Sequence, residues 1–404
     1  MGTDLLSFDD ARTRLLADVR VLAPERVSLA TAAGRVLAAD LVSPRPMPGF
    51  DHSAMDGYAL RSSDLAGDGP FHLRVSGESS AGREGPPVER GAACRIFTGA
   101  PVPAGADAVV MQEKVRREGD RITLDERPRA RQNIRFAGED LAQGATALTA
   151  GTRLGAGSIA LAAMLGVPEV LVARRPRVTI LCTGDELRLP GEGVGPASIF
   201  ESNSAAVGAL ARQAGADVRV APIARDEPET MLRAVEQALE GTDVLVTVGG
   251  VSVGDHDVVR PALERAGVRL DFWRVAIRPG KPLAVGRRDA AHVVGLPGNP
   301  SSALVTFAVF GMPLLRALQG DSRPFAPALR ARLVASRKRS PDRLELMRAV
   351  LRVREGSLVV EAHDNQSSGA ATSLAHSDGL ALVPPGDAPI AAGETVDFLR
   401  WNDA

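Results

Sequence analysis

The sequence predicts a multi-domain protein of mixed α/β and β class. A central α/β domain carries a mostly parallel sheet, a β-rich domain is inserted ahead of it, and a small β-barrel follows at the C-terminus. Three observations carry this prediction. At 404 residues the chain is too long for one core. From residue 177 the pattern becomes one of alternating βαβ units. On either side, over 58–125 and 328–400, short apolar runs alternate with polar residues at strand period and are bounded by Gly and Pro.

Taken in order, residues 4–20 read as an amphipathic helix. Ser7 is placed to cap it, Asp9 and Asp10 sit in its first turn, and Leu15, Leu16 and Val19 share a face. Residues 25–43 predict a short strand and a second helical piece, with Val27, Leu29, Val36, Leu37, Leu41 and Val42 in the core. Pro44, Pro46, Pro48 and Gly49 then break regular structure. The run Phe50-Asp-His-Ser-Ala-Met-Asp-Gly-Tyr58 offers Asp51, Ser53 and Asp56 to a ligand or metal, although Asx turns use the same residues. Strands are predicted at 71–75, 94–97, 108–112 and 121–124, with a rigid Gly/Pro loop over 98–107. Arg135, Glu139 and Asp140 follow in one short polar stretch. Beyond it, 149–154 is extended, 158–165 helical and 167–172 a strand.

The α/β stretch opens with a strand at 178–183 that ends in Gly184-Asp-Glu186. A helix at 203–214, a strand at 217–223 and a helix at 227–239 follow, with Pro228 acceptable in the first turn. Next comes Asp243-Val-Leu-Val-Thr-Val-Gly-Gly-Val-Ser-Val-Gly-Asp-His-Asp257, a buried strand emptying into a glycine-rich loop. Gly249, Gly250 and Gly254 remove side chains where the backbone turns or meets a ligand, and Asp255 and Asp257 arrive just after. The same residues also suit a plain βα turn. A helix at 258–266, a strand at 270–276, short strands at 283–286 and 292–295, the loop Gly295-Leu-Pro-Gly-Asn-Pro300 and a helix at 301–318 complete the domain. Strand ends thus bring Gly184 to Glu186, Asp226, Gly249 to Asp257, Arg278 to Pro282 and Gly295 to Pro300 toward one sheet edge, where open α/β sheets bind ligands. The last region predicts strands at 329–335, 344–353, 358–361, 379–383 and 395–399, with the polar loop Asn365 to Thr372 between them.

Composition excludes several classes of function. A net charge of −1 argues against a nucleic-acid partner, so any anion site is local. Two cysteines, Cys94 and Cys182, give no disulfide framework and fit a reducing compartment. No basic leader precedes Asp10, and no apolar run approaches the ~20 residues of a membrane span. The expectation is a cytoplasmic protein with no membrane contact. Three of the 48 basic residues are lysines, so arginine is the default cation and Lys281 stands out. No zinc pattern is present, Cys182 lies inside a strand, and Ser252 has no adjacent base. What remains is acids and glycine loops beside Arg274, Arg278 and Lys281. Carboxylate oxygens suit Mg²⁺ and cationic groups suit oxyanions, which points to Mg²⁺-dependent handling of a phosphorylated or nucleotide-like molecule.

Seven segments, in order along nearly the whole chain, resemble motifs of the molybdopterin molybdenumtransferase family, to which the C-terminal domain of gephyrin is related. They are Phe50 to Ala59, Thr98 to Asp107, Arg135 to Asp140, Thr183 to Leu187, Gly249 to Asp255, Pro279 to Pro282 and Leu296 to Pro300. The resemblance implies an L-shaped homodimer of four-domain chains. The corresponding domains are a molybdopterin-binding α/β domain (1–25 and 173–323), a linker and dimerisation domain (26–45 and 141–172), the inserted β domain (46–140) and the barrel (324–404). It implies insertion of molybdate into adenylylated molybdopterin with Mg²⁺-dependent release of AMP. Asp56, Asp140, Glu186, Asp255 and Lys281 are the implied catalytic residues, and Glu186, Asp226 and Asp255 the implied metal ligands. Binding falls to Arg135, Thr98, Gly249, Gly250, Ser252, Gly254, Arg274, Arg278, Pro297, Pro300 and Ser368, with Ser367 and Ser373 as further candidates. The family's site lies in a cleft between subunits. A molybdopterin adenylyltransferase and molybdoenzyme-maturation proteins are the implied partners.

Three positions depart from the family pattern: His52 replaces an asparagine, and Arg274 and Arg278 stand where lysine is common. An arginine fork differs from a lysine point charge, so the preference for molybdate over tungstate stays open. Two rival readings also stay open. A molybdopterin adenylyltransferase is a lone α/β domain and lacks the inserted and terminal β domains. A non-catalytic scaffold on the same fold would be expected to have lost the acidic set.

Overall fold

The computed structural model describes residues 5–250 and 258–401. The chain forms two compact units. One comprises Met1–Ala39, Ala150–Gly155 and Glu169–Ala404, the other Asp40–Thr149 and Ala156–Pro168.

The first unit is built on a six-stranded sheet in the order Asp217–Val220, Arg177–Cys182, Val244–Val248, Ala291–Leu296, Pro282–Arg288, Arg269–Arg274. The first four strands are parallel and the last two antiparallel. All five residues of Val244–Val248 are buried, as a central strand covered on both faces requires. Helices Asn203–Gln213 and Pro300–Thr306 pack on one face with helix Phe8–Leu16, whose N-cap Ser7 accepts from the amide of Asp10 at 3.1 Å. Helices Pro228–Leu239 and Val259–Arg265 cover the other. Glu227 caps Pro228–Leu239 by accepting from Thr230 at 2.7 Å.

The segment Pro300–Leu318 is long and apolar enough to cross a membrane, against the sequence expectation, but 89% of it is buried inside the protein and it serves as a core element. Its middle, Phe307–Gly311, is a π-helical segment just ahead of Pro313. The wider turn absorbs the hydrogen bond that proline cannot make.

The barrel in this unit closes through five strands: Leu344–Arg354, Ser357–Ala362, Leu329–Leu333, Thr395–Arg400 and Gly379–Val383, which returns to the first. The two-residue strand Ile277–Arg278 pairs with its Leu344–Glu345 edge and ties it to the α/β sheet. Residues 25–43 hold no α-helix. A strand at Pro24–Ser28 is followed by the 3₁₀ turn Leu29–Thr31; Val36 and Leu37 are buried, while Val42 is half exposed.

The second unit centres on a six-stranded sheet in the order Ala108–Met111, Gly57–Leu60, Ala92–Ile96, Phe71–Ser79, Arg121–Leu124, Val115–Glu118. The strand Gly57–Leu60 lacks a strong sequence signal, yet it is buried throughout. A Cβ on Gly57 would lie 1.9 Å from the carbonyl oxygen of Val110, so only glycine permits this pairing.

Candidate functional site

In the second unit, three polar loops named by the sequence come together. His52–Ser53 pairs with Ile134–Arg135, and the amide of Gly99 donates to the carbonyl of Ser53 at 2.8 Å. Asp56 accepts from both the amide and the hydroxyl of Thr98, each at 2.8 Å. These two bonds, the amide first, hold the Asp56 carboxyl below its usual range and keep it ionised. Arg135 donates to Glu139 at 3.0 Å, and Glu139 also accepts from the Phe136 amide, so that pair is internally satisfied. Asp51 accepts from the Ala137 amide at 2.8 Å. Asp140 is exposed, its own amide donating to the Met47 carbonyl at 3.1 Å.

The carboxyl edge of the parallel sheet, in the first unit, has the opposite character. Strand Arg177–Cys182 ends where the Thr183 amide donates to Val248 and the Gly184 amide to Ala224. The Asp226 carboxyl is pushed above its usual range by partial burial and by the neighbouring charges of Asp185 and Glu186. No cation among the described residues relieves it. Nor do the described residues form any group of three or more acids, histidines or cysteines able to hold a metal ion. Two of the three implied ligands, Glu186 and Asp226, are thus electrostatically coupled, while Asp255, with Ser252 and Gly254, lies outside the described residues.

Strand Val244–Val248 delivers Gly249 and Gly250 with φ of +96° and +62°. A Cβ on Gly249 would lie 2.8 Å from the Thr183 hydroxyl, and one on Gly250 would lie 2.1 Å from Cγ2 of Val259. The backbone is therefore bare here for two reasons, handedness and close approach. The buried hydroxyl of Thr183 has no partner among the described residues. The loop from Pro297 to Pro300 sits alongside: a Cβ on Gly298 would be 3.5 Å from the Gly249 Cα, and Asn203 donates to the Gly298 carbonyl at 2.8 Å.

The barrel contributes its polar loop to this region. The Ser301 amide, at the start of helix Pro300–Thr306, donates to the Ser368 carbonyl at 3.1 Å, and the Ser301 hydroxyl donates to Ala370. That loop rests on Arg348, a residue the sequence reading did not single out. Arg348 is fully buried; its Nη2 donates to the carbonyls of Asn365 and Ser367, both at 3.0 Å. Its Nε and Nη1 have no partner among the described residues, and burial lowers its pKa with no compensating carboxylate among them. Guanidinium donors suit oxyanions; in this structure Arg348 lies at 0% exposure beneath the loop it supports, so an anion reaches it only when that loop moves. Its signal was available: it is the one cation inside the apolar run Leu344 to Val350, but the arginine-rich composition hid it.

The remaining cations differ from one another. Arg278 is paired with the buried carboxylate of Glu345 at 3.3 Å. Arg274 has no side-chain partner among the described residues, and its carbonyl accepts from Leu6. Lys281 is exposed and close enough to Asp342 to help lower that carboxyl, after the larger effects of Ser340 and Arg343. Ser373 donates to Ala370 at 3.0 Å and shapes the loop.

Three family models match in chain order: the MoeA N-terminal region (domain I and II) over residues 6–166, a probable molybdopterin binding domain over 179–317, and the MoeA C-terminal region (domain IV) over 330–401. The molybdopterin molybdenumtransferase of Haemophilus influenzae is 37% identical over 405 residues, spanning 98% of this chain and 99% of that protein. The chain belongs to the molybdopterin molybdenumtransferase family. The molybdenumtransferase of Nostoc sp. is also 37% identical, over 93% of this chain and 88% of its own. A solved molybdopterin biosynthesis MoeA protein from Pyrococcus horikoshii superposes with a TM-score of 0.85 at 29% identity, covering 98% of this chain and 99% of that one. A molybdenum cofactor biosynthesis protein from Pyrococcus furiosus shares the fold at 20% identity, with a TM-score of 0.62. All seven motifs that resemble this molybdenumtransferase family fall inside the first two matched regions, three in the N-terminal region and four in the molybdopterin binding domain.

Proposed function

We propose that this molybdenumtransferase inserts molybdate into adenylylated molybdopterin and releases AMP, with Mg²⁺ at the carboxyl edge of its parallel sheet. The observation that carries this reading is unbalanced charge of both signs in one unit: Asp226 crowded by Asp185 and Glu186, and Arg348 buried with two donors unpartnered among the described residues.

The acids fit a hard divalent cation. Mg²⁺ takes one or two carboxylates and completes its shell with water and substrate phosphate, so it does not need a cage of three protein ligands. Glu186 and Asp226 would hold it, with Asp255 as the proposed third ligand. When bound, the ion supplies charge neutralisation at the pyrophosphate. The chain's own residues bind and orient. Gly249 and Gly250 let the turn pack closely against Thr183 and Val259 at the sheet's carboxyl edge, where the pterin or its phosphates are proposed to bind. Molybdate is a tetrahedral dianion, and Arg348 and Lys281 are the groups proposed to hold it. Arg278 is engaged by Glu345 and is proposed to orient the Pro279-Gly-Lys281 turn more than to bind directly. Asp56, Asp140, Arg135 and Thr98 remain proposed contributors in the roles the resemblance implies.

A homodimer is proposed, to be read by light scattering. A reducing cytoplasmic setting is proposed from two buried, free cysteines. A molybdopterin adenylyltransferase would supply the substrate. The deciding assay is AMP release from adenylylated molybdopterin by the purified chain with Mg²⁺, with and without molybdate. Molybdate-stimulated release with metal left on the pterin is expected. Tight pterin binding without release would favour a scaffold, and release indifferent to molybdate would favour a hydrolase.

A further inference from the structure

The opposite edge of the same sheet holds a second feature that the proposed reaction does not use. The strands that deliver Thr183, Gly249 and Leu296 to the carboxyl edge begin beside a cavity of about 690 Å³. A five-residue strand separates the two edges by roughly 17 Å. The cavity is lined by Arg20, Arg174, Arg269 and Arg287, with Asp243 and His292 in its wall.

These groups are not equivalent. Arg174 is saturated: both its terminal nitrogens donate to Asp243, at 2.6 and 2.7 Å, and the Arg177 amide donates to the same carboxylate at 2.8 Å. That ion pair is framework. Arg287 donates to the backbone carbonyl of Asp18 at 3.0 Å, and its nearest carboxylate, on Asp18, is 3.8 Å away and 83% exposed. Arg20 and Arg269 have no side-chain partner among the described residues. His292 is 95% buried in the cavity wall, at 5% exposure, and its ring makes no hydrogen bond among the described residues. Burial, aided by the charge of Arg287, pushes its pKa down to about 4, so at neutral pH it offers one donor and one acceptor without a charge.

We propose that this amino-edge cavity is a binding site for a small organic phosphate, held by Arg20, Arg269 and Arg287 and oriented by His292. Guanidinium forks match phosphate oxygens, and a tetrahedral group accepts from several forks at once, which a single planar carboxylate does less well. The volume exceeds that of an inorganic ion and falls in the ~300–1,000 Å³ range of small-ligand pockets. The exposed carboxylates of Asp18 and Asp289 at the rim leave room for hydroxyl or amino groups on the remainder of the ligand.

The test is calorimetric titration of the full chain, at physiological ionic strength, with phenyl phosphate, inorganic phosphate and citrate. Phenyl phosphate is expected to bind saturably and more tightly than citrate. Binding should weaken about tenfold or more in Arg20→Ala/Arg269→Ala and persist in Lys281→Ala, a change at the other edge. Both arginines are exposed and have no side-chain partner among the described residues, so the melting temperature of the double variant should stay at the wild-type value. Arg269→Glu is the second variant and should abolish binding. Absence of saturable binding to the wild type overturns the proposal. So does wild-type affinity in the double variant, or tighter binding of citrate than of phenyl phosphate.

Discussion

Asp56 and Asp226 are both loop aspartates singled out by sequence, and their environments push them in opposite directions. Asp56 accepts two hydrogen bonds from Thr98 and is held ionised by its own protein. Asp226 has two neighbouring carboxylates and partial burial, and its ionised form is disfavoured. An acid held by its own loop describes a finished structure, whereas one set against two like charges describes a place completed from outside. The same contrast holds for the cations: Arg135 is paired within its loop, while Arg348 is buried with two donors unpartnered among the described residues.

The sharpest way to break this contrast is at Arg348. Arg348→Met should reduce molybdate-dependent AMP release by about a hundredfold or more, the size of effect seen when a preorganised oxyanion donor is lost. Arg348→Lys should recover part of it. Arg135→Ala, at an exposed and satisfied pair, should cost stability almost nothing. The decisive readout is the molybdate concentration dependence at fixed pterin. If Arg348→Met keeps the wild-type dependence, Arg348 holds only the loop.

The second effect is on stability and concerns the glycine turn. Gly250→Ala would place a methyl group against Val259 at a positive φ, so destabilisation of about 2 kcal/mol is expected in urea unfolding. A variant as stable as the wild type would show that the turn adapts.

Mg²⁺ gives a third, smaller contrast. Ligand that binds only the folded chain raises the melting temperature by linkage. Mg²⁺ should therefore stabilise the wild type and Asp56→Asn, and much less Asp226→Asn. The pH sign follows from the raised pKa of Asp226. Between the unfolded and folded values the folded state binds more protons, so this group's contribution to stability falls as pH rises through that window. Without metal, Asp226→Asn should flatten that fall. An unchanged pH profile would mean that Asp226 is not strained by its neighbours.

The smallest expected change is at Thr98. Thr98→Val removes one of two bonds to Asp56 and leaves the amide bond. The pKa of Asp56 should rise by a fraction of a unit, shifting the acid limb of the activity profile upward by the same amount. An unmoved limb would separate Asp56 from the pH dependence.

Much of this was legible in the chain because the signals are local. The β-branched run Val244 to Val248 and the glycines after it specify a buried strand and a bare turn without reference to anything distant. Likewise the Asp56 and Thr98 segments each announce a loop. What stayed hidden depends on long-range packing. Gly57–Leu60 is a central strand only because Ala92–Ile96 and Ala108–Met111 flank it. Arg348 becomes notable only when the barrel buries it under a loop that follows about twenty residues later. The short strand expected at the start of 25–43 is Pro24–Ser28, while the helical piece gave way to a 3₁₀ turn and to bridges from Val36 to Arg153 and from Leu37 to Val172, partners well over a hundred residues along the chain.

The most direct test is to titrate Asp226 itself, by NMR of selectively ¹³C-labelled aspartate carboxyls in the full chain, with and without Mg²⁺. The account expects a pKa above the ordinary aspartate range in the free protein, falling when Mg²⁺ is added, while Asp56 stays low in both. An ordinary Asp226 that ignores Mg²⁺ would contradict the claim that the sheet's carboxyl edge is completed by a bound cation.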